Sequence, residues 1–121
     1  MAVFALMETP WNLNKMITIF EILNGLSQTS AVILHDDYKW IQQECHEYAK
    51  QSEIAFSRAT MSEYRFEETG SKLCILKPSY EGLCGRTFDF YFVTLRVLEE
   101  YSDIIRPCIR SSENKRIILI K

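Results

Sequence analysis

The sequence predicts an α/β domain: a three-layer sandwich with a mainly parallel sheet between helices, and a β-meander in the middle of the chain. Three observations predict it. The runs Val3–Met7, Ala31–Leu34, Phe88–Val93 and Ile117–Ile120 are continuously apolar, and a strand that does not alternate is one buried on both faces, as in a parallel sheet covered by helices. Helical periodicity alternates with such runs towards both ends. Between them lies a group of short strands punctuated by turns. At 121 residues the chain is long enough for one ordinary core and too short for two, so residues 1–121 are expected to form a single domain.

The elements follow in order. Val3–Met7 reads as a buried strand, and Glu8 to Asn14 as a turn broken by Pro10 and Asn12. From Leu13 to Leu26, Met16, Ile19, Phe20, Leu23 and Leu26 recur at helical spacing, with Gly25 near the end. Ala31–Leu34 is the second buried run, after which Asp36 or Asp37 can cap a helix reaching Gln51 with Tyr38, Ile41, Cys45 and Tyr48 on one stripe. Ile54–Ala59, Glu63–Glu67 and Lys72–Lys77 read as short strands, the last two joined by the turn Thr69-Gly70-Ser71. Phe88–Val93 is an aromatic-rich strand, Arg96–Ile105 a helix broken near Pro107, and Arg116–Ile120 a last strand. The four apolar runs are expected at the centre of the sheet, flanked by the Leu13–Leu26, Asp37–Gln51 and Arg96–Ile105 helices. Ile33, Phe90, Phe92 and Ile118 should be almost fully buried.

Composition excludes several classes. A hydrophobic share of 47% with 25% charged residues is that of a globular chain, not a disordered one. The net charge of -2 sets up no broad field towards nucleic acid or an acidic membrane, so no strong intrinsic nucleic-acid binding is expected. Lys15, Lys72, Lys77, Arg86, Arg106, Arg110, Lys115 and Arg116 are read as solvated surface charge. The four cysteines, Cys45, Cys74, Cys84 and Cys108, have no zinc spacing and read as reduced thiols, and no metal is expected. The apolar start, Met1 to Met7, lacks a basic leader and is too short to span a membrane, and the expected location is the cytoplasm, that of the host cell if the protein is from a phage or virus. His35-Asp36-Asp37 is read as a strand end and helix cap rather than a metal cluster, and the adjacent acids Glu67-Glu68 and Glu99-Glu100 cannot converge on one site.

The stretch Gly70-Ser71-Lys72-Leu73-Cys74-Ile75, followed by Gly82-Leu83-Cys84-Gly85-Arg86-Thr87-Phe88-Asp89-Phe90, resembles the ATPase domain of the large terminase subunit of tailed phages. Tyr101 to Pro107 and the strand Arg116 to Ile120 extend the likeness, which covers nearly the whole chain in element order and residues 70–120 at residue level. The resemblance implies a P-loop-ATPase-like fold with a degenerate nucleotide site. A Walker A loop needs glycines whose backbone N–H groups wrap the phosphates, a lysine, and a hydroxyl for magnesium. The matching stretch is Thr9-Pro10-Trp11-Asn12-Leu13-Asn14-Lys15-Met16: Lys15 is in place, both glycines are missing, and Met16 stands where the hydroxyl belongs. The Walker B strand should end in two acids, for metal and water; here Thr94 and Leu95 follow Val93. The family's coupling motif and nuclease domain have no counterpart within the 121 residues.

The expected function is therefore that of a non-catalytic pseudo-ATPase of a phage, virus or other mobile element. It would have no cofactor and would bind a protein partner, such as a packaging motor or a host defence complex, to modulate or inhibit it. Trp11, Trp40 and Arg86 are the candidate partner-binding residues; Lys15, Met16, Thr94 and Leu95 make up the vestigial nucleotide site. The alternative is a nucleotide-binding regulatory domain using Lys15. A third class, an enzyme whose acids are Asp36, Asp37 and Asp89, is distinguished by turnover with metal.

Overall fold

The computed structural model describes residues 3–6, 13–79, 87–101, 103, 105 and 116–120. The elements run β1 (Val3–Leu6), α1 (Leu13–Gly25), β2 (Ser30–Leu34), α2 (Tyr38–Gln51), β3 (Phe56–Ala59), β4 (Glu63–Phe66), β5 (Lys72–Leu76), β6 (Phe90–Thr94), α3 (Leu95–Glu100) and β7 (Arg116–Ile120). They build one seven-stranded sheet in the order β1-β7-β6-β2-β5-β4-β3. The pairs β1–β7, β7–β6, β6–β2 and β2–β5 are parallel, while β5–β4 and β4–β3 are antiparallel. The fold is thus mixed α/β, with a parallel middle and an antiparallel wing formed by the meander.

The non-alternating runs find their explanation in β2. Ala31 and Ile33 enter one apolar cluster, roofed by Met16, Ile19, Phe20 and Leu23 of α1 and by Ile41 and Cys45 of α2. Val32 and Leu34 enter a second cluster on the other face, with Tyr91, Val93, Val97, Leu98 and Ile105. The first cluster extends into the wing through Phe20, whose ring meets those of Tyr48, Phe56, Tyr64 and Phe66 at 5.1 to 6.1 Å between centroids in edge-on geometry. The turn between β4 and β5 plugs the end of α1. Thr69 Oγ1 donates to the Leu23 carbonyl at 3.0 Å, and Ser71 Oγ donates to that of Leu26, satisfying acceptors that a helix C-terminus leaves open. Gly70 turns there with a φ of 73°, a conformation costly for any residue with a Cβ.

Several expectations need correction. Val3–Met7 is not a central strand: among the described residues β1 lies at the end of the sheet order and pairs with β7 alone. The aromatic strand begins at Phe90, not Phe88, and continues to Thr94. Its parallel, interior position stands. Ile33 and Phe92 are buried, but Phe90 and Ile118 are only partly so. Both line an apolar hollow of about 110 Å³ beside Ile19 and Ile22, because α1 leaves that part of the sheet uncovered among the described residues. Leu26 is exposed, since the helix ends at Gly25 and the chain then turns away. Asp37 occupies the N-cap position of α2 without making a side-chain cap; its own N–H instead donates to His35 Nδ1 at 2.9 Å. Cys45 and Cys74 are buried and not joined in a disulfide; Cys84 and Cys108 lie outside the described residues. No helix among the described residues is long and apolar enough to cross a membrane.

Candidate functional site

Because β1, β7, β6 and β2 are parallel, their C-terminal ends share one edge of the sheet. Lys15 and Met16 follow β1 in the first turns of α1, while Thr94 ends β6 and Leu95 begins α3. The topology therefore brings the four candidate residues to the same edge, with β7 between their two strands. Neighbouring strands β2 and β6 send the chain to opposite faces, into α2 over one apolar cluster and into α3 over the other. In open α/β sheets ligands enter the crevice that such a divergence opens.

The chemistry of that edge is poor in phosphate-binding groups. Met16 is 1% exposed and forms part of the α1 core, so it is fixed by packing and presents no oxygen. Thr94 is nearly buried and its Oγ1 accepts from the Val97 N–H at 3.2 Å, capping α3. Leu95 is 55% exposed. Strand β6 thus passes directly into a helix, with a neutral cap where a metal-binding carboxylate could stand. Lys15 is half-buried. Across the crevice, Arg96 reaches Asp36 at 3.5 Å and Glu100 at 3.8 Å. The sequence reading does not single out Arg96, since its partner Asp36 comes from a distant loop and only the β2–β6 pairing joins them.

The other candidates are dispersed. Asp89 sits at the N-terminal end of β6, where its Oδ2 accepts from the Ser30 N–H at 2.9 Å and from Ser30 Oγ at 3.2 Å. Asp36 and Asp37 follow the C-terminal end of β2. At about 3.3 Å per residue, the length of a strand separates Asp89 from those two acids, so the three do not form one catalytic group. Trp40 is 48% exposed on α2, and Trp11 and Arg86 lie outside the described residues. No group of three or more His, Cys, Asp or Glu among the described residues is placed to hold a metal ion.

The ionisable groups that the fold perturbs lie elsewhere, near the aromatic cluster. Burial, with a smaller contribution from Glu44, pushes the Cys45 thiol up to about 12. Burial first and Cys45 second raise Tyr64, and burial followed by Glu21 raises Tyr48. All three shifts favour the protonated form, which removes thiolate or phenolate chemistry near neutral pH.

Two comparisons by sequence, with family models and with curated proteins, find no match. Among solved structures, the chain is similar to the HK97 bacteriophage large terminase, with a TM-score of 0.70 and 11% sequence identity over 99% of this chain. The match covers 29% of the terminase chain. At this identity the likeness is one of fold, which is terminase-like.

Proposed function

We propose that the chain is a non-catalytic, pseudo-ATPase interaction protein built on a terminase-like fold. On this reading the sheet with a cluster on each face is a degenerate P-loop-ATPase-like sandwich. Its Walker A and Walker B positions, at Lys15–Met16 and Thr94–Leu95, no longer serve nucleotide chemistry. The observation that carries the reading is the end of β6, where Thr94 is spent on capping α3 and Leu95 follows it. Phosphoryl transfer needs a metal-holding acid and a group that orients water, and neither residue can supply one. The packed Met16 supports it further, since a thioether buried in the α1 core offers magnesium no oxygen.

What such a chain retains is surface, so its work is to bind a protein: a packaging motor or a host defence complex of a phage, virus or mobile element. The test is capture of partners by the tagged chain from infected cells, followed by reconstitution with the purified partner, alongside a phosphate-release assay with magnesium and ATP. The proposal expects background hydrolysis, unchanged in Lys15→Ala, and a stoichiometric complex whose motor or defence activity is altered. Turnover abolished by Lys15→Ala would refute it.

A further inference from the structure

Helices α1 and α2 share one face of the sheet and differ in what they turn to solvent. In 14 residues α2 carries Lys39, Glu44, Glu47 and Lys50, and its buried residues are Ile41 and Cys45. In 13 residues α1 carries Lys15 and Glu21. Met16, Ile19, Phe20 and Leu23 are its buried stripe, yet Ile22 is 47% exposed, and Leu26, just past its end, is exposed as well. A helix that is apolar on nearly every side is ordinarily covered on nearly every side.

Beside Ile22 the sheet is bare. Helix α2 lies towards the wing, where Gln42 Nε2 donates to the Ile75 carbonyl of β5 at 2.8 Å, and α3 packs in the cluster on the opposite face. Among the described residues no helix therefore follows α1 over β7 and β1, which end the sheet. Phe90 and Ile118 stay partly exposed there, and the hollow of about 110 Å³ opens between them and Ile19 and Ile22. It is well below the roughly 300 Å³ at which ligand pockets begin, so it suits one side chain and not a cofactor. The hydroxyl on its wall, that of Thr18, donates to the Asn14 carbonyl at 2.8 Å, which leaves the hollow with little to offer water.

Dimensions limit what covers the bare strip. At the usual strand spacing β7 and β1 together are about 10 Å wide, which is the diameter of one helix, and α1 is about 20 Å long. One more helix laid beside α1 fills the strip, and it must be apolar both towards the strands and towards α1. The chain itself supplies such a helix in α1. In a two-fold pair each α1 lies on the other copy's strip, and Ile22 enters the opposite hollow. A two-fold contact needs one patch to carry both the projecting group and the recess that receives it, and Ile22 stands on the rim of the hollow. Thr18, Ile22, Phe90 and Ile118 are uncharged, so two copies meet there without like-charge repulsion.

We infer that the Ile22 face of α1, with the hollow beside it, is the interface of a homodimer, its occupant a second copy of this chain. A lipid surface is the less suited occupant: helices that lie in a membrane interface are rich in Lys and Arg on the polar side, and Lys15 is the one cation of α1. The inference does not rest on the pseudo-ATPase reading.

The test is sedimentation equilibrium of the full chain from low micromolar to submillimolar concentration, beside thermal melts over the same range. The expected mass is twice the 14.2 kDa of one chain, and the melting temperature should rise with concentration, as it does when association stabilises the native state. Ile22→Glu and Thr18→Arg, both at exposed positions, should each raise the dissociation constant by about 30-fold or more and flatten that rise. Met61→Glu, at an exposed apolar position far along the chain, should leave both unchanged. Far-UV circular dichroism of the variants checks that the fold is intact. A monomeric mass throughout the range overturns the inference, as does a dimer that survives both α1 variants or is lost equally in Met61→Glu. So does a monomeric chain whose capture of another protein is abolished by Ile22→Glu, which would make the face that protein's seat.

Discussion

The parallel middle of the sheet and its antiparallel wing treat charge in opposite ways. At the C-terminal edge of the middle one cation, Arg96, lies between two acids, Asp36 and Glu100. On the wing one acid, Glu63, lies between two cations, Arg58 and Arg65. The middle spends its end residues on packing and capping: Met16 is buried in the α1 core and Thr94 caps α3. The terminase-like fold takes in both regions, and the exposed arginine pair belongs to the wing.

The sharpest way to break the comparison is to cut the link between the two regions. Phe20 belongs to α1 yet its ring is enclosed by Phe56, Tyr64 and Phe66 of the wing. Phe20→Ala should cost about 3–5 kcal/mol in urea unfolding, with a single transition seen by both near- and far-UV probes. Two separated transitions would mean that the wing is an independent unit.

Alkaline pH loads the same seam. In the folded state the Cys45 thiol stays protonated up to about 12, against an ordinary value of 9.0. Above pH 9 the unfolded chain has lost that proton while the native chain holds it, so the stability gradient with pH is negative. Unfolding free energy should be insensitive to this thiol below pH 9 and fall steadily from 9 towards 12; Cys45→Val should flatten the slope. A slope unchanged by that substitution would show that the thiol does not carry it.

Smaller effects sharpen the contrast. Tyr64 Oη is buried with no hydrogen-bond partner among the described residues, so Tyr64→Phe should raise stability by about 1 kcal/mol. Thr94→Ala removes the cap of α3 and should lower it by about 1 kcal/mol. Arg96→Ala, which opens an exposed ion pair, should change the melting temperature least, by less than about 1 kcal/mol in equivalent stability. If Arg96→Ala proves costlier than Thr94→Ala, the crevice ion pair is a structural brace rather than surface charge.

What the sequence discloses depends on the range of the interaction. The run Ala31–Leu34 is legible because burial on both faces leaves no polar position, and the stripe Ile41–Cys45 because helical spacing is local. The edge position of β1 is not: it follows from Val3 pairing with Arg116, near the far end of the chain, and nothing around Val3 announces it. Phe90 and Ile118 look like core on composition alone, yet their exposure is set by where α1 stops covering the sheet. The meeting of Arg58 with Arg65 is hidden for a similar reason: it needs the strand register and a bulge that carries no glycine to mark it. At the candidate site, the sequence shows Thr94 and Leu95 as an uncharged strand end, whereas the capping role of Thr94 and the reach of Arg96 to Asp36 emerge only when the strands are paired.

The central claim is that the C-terminal edge of this sheet no longer holds a nucleotide. Its most direct test is the thermal melt of the chain with millimolar ATP or GTP, with and without magnesium, beside the Lys15→Ala variant. A ligand raises the melting temperature only through its affinity for the native state. The account predicts coincident melts in every condition for both proteins. A magnesium-dependent rise of several degrees that Lys15→Ala abolishes would contradict it and establish Lys15 as part of a working nucleotide site.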